Sequence, residues 1–562
     1  MGRAKTTVRS HGGSSVALIS SRQSPRDAGH VAAVGHLADL DLAVGAPVPG
    51  VVLAPKLTGM AAVRRRALRW TDECSQAILR RPLLVVLAVQ AGLSLRLVWS
   101  NTAFQDEALY LRAGHLEWAR WLHQTPIPHF PAYFSGAPVI YPPLGALADS
   151  LGGLTAARIL SMCFMLGVTS LLWATTVRLY GQRAAVLAAA LFATLAGTQF
   201  LGALATFDAM ALFLLALAAW LGIRSAGCQF RRRTALLVSS GAILAAADAV
   251  KYATALFTPV VLAVVALAVW RRHRGGAWLA ALLTMLGSWL LLVVTAIAAG
   301  GREYRLGITT STLARPPSSA PVAVVLHSAY IWTSLILVLA VLGTVLASFG
   351  ETRGKLLPAV LTAAALLVPA GQARLHTTVS LQKHVVFGAW FAAIAAGYAM
   401  ARLSRVDPGR GWAPVLALPI AASALFGSMG QAAALYQVWP NATGVVSVLR
   451  SQVQSHPGHY LAEDYDVEAY YLRAEVPWPR WSSTYYLDYQ GAVAGAASYQ
   501  AALNSHFFSL VILDFGDTAA TDSQITADMR HAGGYHVVAR TGRYIIWAAP
   551  GPAADRPAGE KQ

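Results

Sequence analysis

PLLVVLAVQAGLSLRLVWS, from Pro82 to Ser100, carries a single charge, Arg96, in nineteen residues. About twenty apolar residues make a helix long enough to cross about 30 Å of hydrocarbon. Ten further apolar runs follow, at 154–179, 184–202, 204–223, 235–252, 254–270, 277–299, 323–348, 356–373, 384–401 and 412–436. Together they predict an all-α polytopic membrane protein of about eleven transmembrane helices. Composition agrees, with 56% hydrophobic and 12% charged residues and a mean hydropathy of +0.50, against roughly 25% charged residues in soluble proteins. A purely soluble enzyme is excluded.

Forty-four Lys and Arg against 26 Asp and Glu leave a net charge of +18. The basic residues fall in short clusters between apolar runs, which is the pattern of membrane topology and not of a nucleic-acid footprint. Five connections are basic: Arg178/Arg183, Arg224 with Arg231–Arg233, Arg271/Arg272/Arg274, Arg353/Lys355, and Arg402/Arg405/Arg410. By the positive-inside rule these face the cytoplasm. The N-terminus is then cytoplasmic, and the first loop 101–150, the turns near 200–206, 251–252 and 372–383, the loop 300–321 and everything after about Tyr436 share the opposite face, where function is expected. The long apolar runs make this a multi-pass protein.

Residues 1–81 are Gly-, Ser- and Arg-rich with weak periodicity and read as a disordered basic cytoplasmic tail, preceding a transmembrane domain over 82–436. From about Val438 charged and aromatic residues return. The β-rich Ser509–Asp514, the run Tyr535–Val538 and the run Tyr544–Trp547, alternating with helical patterns, predict a small extracytoplasmic α/β domain over 437–550. Residues 551–562 read as a disordered Pro/Ala-rich tail.

Asp106 and Glu107 open the first loop directly after the first span, on an amphipathic stretch whose Trp118 and Trp121 suit a membrane interface. They read either as helix N-terminal acids favoured by the dipole or as reacting carboxylates. Asp208, at the end of a span, is either a cavity residue or a helix cap. Lys251 either binds an anion or pairs with Asp248 three residues earlier. Arg158 either binds an anion or snorkels at the interface. The aromatic, Pro-rich run His129–Pro143, which includes Tyr141, makes either a sugar-stacking wall or an ordered surface loop. The acidic cluster Glu463–Glu468 reads first as a solvated loop. His327, His376 and His384 share no ligand spacing, so no metal site is assigned, although one acid with one histidine is able to hold a divalent metal ion.

The segment DEALY at 106–110, followed by YPPLG at 141–145, ARILS at 157–161, LYG at 179–181, TFDAM at 206–210 and Lys251-Tyr252 before Pro259, occurs in an order that resembles the GT-C integral-membrane glycosyltransferases of the protein O-mannosyltransferase and aminoarabinose-transferase type, grouped as glycosyltransferase family 39. The resemblance covers about 82–270 well. It implies a GT-C-like membrane domain, a polyprenyl-phosphate-linked sugar donor, and a protein, lipid or glycan acceptor. It makes Asp106 the catalytic base with Glu107 beside it; the candidates for binding substrate are Arg158, Asp208, Lys251 and Tyr141, which fall within the same motifs. Cations near the departing phosphate matter more than a general acid, because that group leaves already charged; Arg374, Lys383 and His384 join the candidates. One departure is visible. Aminoarabinose transferases carry Glu-Lys where this chain has Ile140-Tyr141. A transporter or flippase of lipid-linked sugars is the competing reading, since it too needs charges at helix ends.

Overall fold

The computed structural model describes residues 81–273, 275–349, 352–404, 412–490 and 495–550. The expected tails, 1–81 but for its last residue and 551–562, lie outside them. From Leu83 onward the chain forms one compact unit.

Among the described residues, eight helices are long and apolar enough to cross a membrane: Tyr141–Tyr180, Phe207–Ser225, Phe230–Val250, Tyr252–Arg272, Ala277–Leu313, Val322–Ser348, Gly354–Arg374 and Leu381–Leu403. The remaining apolar runs appear as the shorter helices Pro82–Leu95 and Gln182–Thr194 and as Trp412–Leu435. The first run stops early for a visible reason. Arg96 turns its guanidinium to Gln199 Oε1 at 2.8 Å and to the Met429 carbonyl at 2.9 Å, and the backbone from Leu97 to Ser100 closes into tight turns.

Helix Leu381–Leu403 is the axis of the bundle, buried along nearly its whole length. Its Ala- and Gly-rich surface lets neighbours approach closely, as small residues do where lipid supplies no hydrophobic drive. It packs against Val322–Ser348 and Gln182–Thr194. The forty-residue helix Tyr141–Tyr180 contains a break at Gly152–Gly153, where Gly153 takes a φ of 64°. Only glycine adopts that value without strain, and the break separates a loop segment from the span proper.

The C-terminal segment carries a mixed five-stranded sheet. Its strands are β1 (His459–Ala462), β2 (Trp481–Ser483), β3 (Phe508–Leu513), β4 (His536–Thr541) and β5 (Tyr544–Ala548), in the order β2-β1-β3-β5-β4. The three pairings through β1 and β2 or β3, and through β3 and β5, are respectively parallel, parallel and antiparallel, and β4–β5 is an antiparallel hairpin. Every residue of β3 is buried. Alternation explains it: Leu510 and Ile512 join the cluster under helix Thr443–Ser455, whereas Val511 and Leu513 join the one under Ala496–Asn504 and Ala519–Ala532. The acidic stretch expected to be a solvated loop is instead partly the short helix Asp466–Tyr471, packed on the first-loop helix Gln105–His123.

Candidate functional site

The first-loop helix begins with Gln105, so Asp106 and Glu107 sit in its first turn, where the dipole favours acids. Neighbouring residues on a helix point about 100° apart, and the two carboxylates part company. Glu107 turns inward and is completely buried. It accepts hydrogen bonds from Phe104 N at 2.9 Å and Ala205 N at 2.7 Å, and meets Arg158 twice, Nε at 2.8 Å and a terminal nitrogen at 2.6 Å. Arg158 also donates to the carbonyls of Val98 (2.6 Å), Asn101 (2.9 Å) and Thr102 (3.1 Å). All five of its N–H groups are thereby engaged. The pair knits the end of the first apolar run to the loop helix.

Asp106 faces sideways and forms an ion pair with Lys383, the acid 28% exposed and the lysine 4%. Lys383 lies 277 residues away, in the second half-turn of the axial helix. Beside them Asp208 pairs with Lys251 at 2.6 Å, both buried, and Thr206 Oγ1 donates to Asp208 at 3.0 Å. Lys383 also lies within electrostatic reach of Asp208. Two acids and two lysines therefore alternate across one end of the bundle. Each lysine lies over an aromatic face, Lys251 over Phe207 at 4.8 Å and Lys383 over Phe104 at 5.4 Å.

Lys251 does not pair with Asp248. Helix Phe230–Val250 ends one residue before it, and its backbone is extended at φ −146°, ψ 110°, so the i, i+3 geometry is lost. Asp248 instead accepts from Thr258 Oγ1 at 3.0 Å and Trp289 Nε1 at 2.8 Å. A strap from the first loop fixes the bend: Ala137 N donates to the Ala249 carbonyl at 2.8 Å and Tyr252 N to the Ser135 carbonyl at 2.9 Å. Between those bonds, a side chain on Gly136 would collide with the Val250 carbonyl.

The aromatic run is an ordered, packed loop. Phe130 and Phe134 are buried with ring centroids 5.1 Å apart. Tyr141 is wholly buried, its hydroxyl 3.5 Å from Ser161 Oγ, so it presents no stacking face; Tyr133, half exposed, does.

A second set of contacts brings the C-terminal segment onto the same end. Arg112 forms an ion pair with Asp466. Asp149 accepts from His115 Nε2 at 2.7 Å, the Tyr470 hydroxyl at 2.5 Å and Arg473 at 3.1 Å, and the Tyr471 hydroxyl accepts from Ala103 N at 2.9 Å. Three acids of the C-terminal segment, Asp464, Asp466 and Glu468, are hard to ionise. Burial pushes Asp466 above the usual carboxylate range against the pull of Arg112. Burial, then Asp466, Glu468 and Asp106, hold Asp464 well above it, and burial pushes Glu468 up to about 7.

Among the described residues, Glu463, Asp514 and Asp522 lie close enough together to hold a metal ion. Their oxygens already serve the loop that follows β3. Glu463 accepts from Gly516 N at 2.8 Å and from Thr518 N, Asp522 from Phe515 N at 3.1 Å, and Asp514 pairs with Arg543.

Sequence reasoning weighed Lys383 only as one of several cations and gave no place to Arg112, His115 or Asp149. No local signal marks them, since their partners lie tens to hundreds of residues away.

No family model matches the chain, and no curated protein does. Solved structures do. The apo oligosaccharyltransferase of Archaeoglobus fulgidus matches 81% of this chain and 72% of its own at a TM-score of 0.55 and 14% identity. Apo ArnT from Cupriavidus metallidurans matches 84% of this chain and 98% of its own, at 0.55 and 16%. ArnT bound to undecaprenyl phosphate matches 83% and 97%, at 0.55 and 15%. With its apolar helices and this shared architecture, the chain is a multi-pass membrane protein with the fold of the GT-C glycosyltransferases.

Proposed function

We propose that the chain is a glycosyltransferase that takes a sugar from a polyprenyl-phosphate carrier and passes it, with inversion, to a hydroxyl group of a protein, lipid or glycan acceptor. The observation that carries the reading is the Asp106–Lys383 pair beside Asp208–Lys251, in which Asp106 alone of the paired acids keeps an open side. In the reaction the acceptor oxygen bonds to the anomeric carbon while the bond to the phosphate oxygen breaks. Asp106 takes the hydroxyl proton, and the lipid phosphate leaves with the electron pair. Lys251 and Lys383 are the cations available to that phosphate; Arg158, with every donor engaged, serves by fixing Glu107. The undecaprenyl phosphate bound to ArnT supports the donor class. Asp464 and Asp466, in electrostatic reach of Asp106, border the acceptor side.

The test is transfer from a panel of radiolabelled polyprenyl-phosphate sugars by purified protein. Asp106→Asn is expected to lose on the order of 10²–10⁴ in rate while inserting normally. Retention of more than about a third of wild-type transfer would remove Asp106 as the base, and movement of lipid-linked sugar across the bilayer without a new glycosidic bond would make the protein a flippase.

The reading puts the site on the extracytoplasmic face of a plasma membrane, the arginine-rich connections and N-terminus being cytoplasmic. An impermeant maleimide applied to intact cells should then label a cysteine at Ser318 and spare one at Ser404; the reverse pattern overturns the orientation.

A further inference from the structure

The helices that present the charged site end elsewhere in a second, differently built feature. In Phe207–Ser225, Asp208 stands in the first turn and Arg224 in the last, about 24 Å apart at 1.5 Å per residue. Helix Tyr141–Tyr180 ends with Arg178, and Thr258–Arg272 ends with Arg271 and Arg272. With Arg232 from the first turn of helix Phe230–Val250, these five arginines line one pocket of about 580 Å³, a size suited to a small-molecule group. Among the described residues no carboxylate forms an ion pair with any of them.

Two ordinary causes place arginines at such helix ends: the helix dipole, which favours cations in the last turn, and the charge bias of membrane loops. Neither requires five to converge on one cavity, and Arg183, at the same end of the bundle, stays outside it. Two of the five guanidinium groups are also held in place. Arg224 lies over the Trp220 ring at 5.1 Å and Arg271 over the Tyr180 ring at 5.8 Å, while Arg233 donates to the Cys228 carbonyl at 3.1 Å and braces the turn that forms one wall. Close by, the Tyr180 hydroxyl and Trp220 Nε1 are buried with no hydrogen-bond partner among the described residues. Like charges gathered in a partly enclosed space repel, and a phosphate group relieves that repulsion while matching the guanidinium fork.

We propose that this pocket is a binding site for a phosphate-bearing anion, separate from the transfer site. Two sources supply that chemistry at a membrane surface: the head group of an anionic phospholipid, which basic pockets between helices accept, and free phosphate.

The test uses the full chain in nanodiscs of phosphatidylcholine, with or without phosphatidylglycerol, and counts lipids retained on release by native mass spectrometry. Wild type should keep phosphatidylglycerol selectively, and the Arg224→Gln/Arg271→Gln variant should lose about tenfold in retention. Arg183→Gln, which removes one charge from the same end but not from the pocket, should behave as wild type. The Arg224→Lys/Arg271→Lys variant keeps the charge without the fork; it serves should the Gln variant fail to run as a monodisperse species, and should retain less lipid than wild type. Inorganic phosphate added at rising concentration separates the sources: displacement of the lipid at millimolar phosphate identifies the free anion as occupant, and persistence of the lipid identifies the head group. Equal losses in Arg183→Gln and the pocket variants, or no selective retention of either anion by wild type, would overturn the proposal.

Discussion

The two ends of the helix bundle carry opposite charge logic. At one, Asp106, Glu107 and Asp208 each meet a cation within the fold; at the other, five arginines share a pocket with no acid among the described residues paired to them. Charges neutralised in pairs hold a geometry fixed with little field left over, whereas uncompensated ones keep their field for something that arrives from outside. Within the paired end a finer contrast repeats the lesson. Glu107–Arg158 is closed on all sides and fastens the backbone, while Asp106–Lys383 keeps one flank open.

The largest effect should come from breaking the closed pair. Arg158→Met leaves Glu107 buried without its cation, which costs about 3–5 kcal/mol, and it frees the carbonyls of Val98 and Asn101 as well. Heating detergent-solubilised protein and following the monodisperse fraction should show a clear fall in the midpoint, partly recovered when Glu107→Gln is added; an unchanged midpoint would mean that the pair is not what holds the loop.

Lys251→Ala should act through the donor. Losing one charge-assisted contact is worth about 1.5–3 kcal/mol, so affinity for the polyprenyl-phosphate sugar should weaken roughly 10- to 100-fold, with Lys251→Arg restoring part. Unchanged donor binding in protein that is still folded would reduce Lys251 to a partner of Asp208.

The smallest effect concerns an acid with no cation paired to it among the described residues. One oxygen of Glu468 is buried without a hydrogen-bond partner among the described residues, and burial raises the group to about 7. A raised carboxyl binds its proton more tightly folded than unfolded, so its contribution is whole below about pH 4.5 and is lost as pH climbs to about 7, at no more than about 1.4 kcal/mol per pH unit. Glu468→Gln should flatten the dependence of the melting midpoint on pH in that window. An unaltered slope would place the titration elsewhere.

What the sequence disclosed, and what it hid, follows from the range of each signal. Apolarity is local, so the runs from Pro82 to Tyr436 anticipate the helices, and β3 is legible in the apolar run Leu510–Leu513. The order of DEALY, YPPLG and the later motifs anticipates the GT-C fold. Ion pairing is not local: Asp106 and Lys383, or Arg112 and Asp466, stand hundreds of positions apart, and nothing near either member names the other. Spacing misleads at Lys251, because the helix that would have brought it to Asp248 stops at Val250. The acidic run Glu463–Glu468 has the composition of a solvated loop; its packing against helix Gln105–His123 and against the loop after β3 makes it otherwise.

The contacts that dock the C-terminal segment also set a timetable. Arg112 waits for Asp466, 354 residues downstream, Asp149 waits for Tyr470, and Ala103 waits for Tyr471. At 5–20 residues per second of synthesis, Arg112 is made roughly 20–70 s before its partner. The loop helix that bears Asp106 leaves the ribosome early and acquires its final clasp late, so a chain cut short before residue 466 would reach the membrane with that clasp unmade.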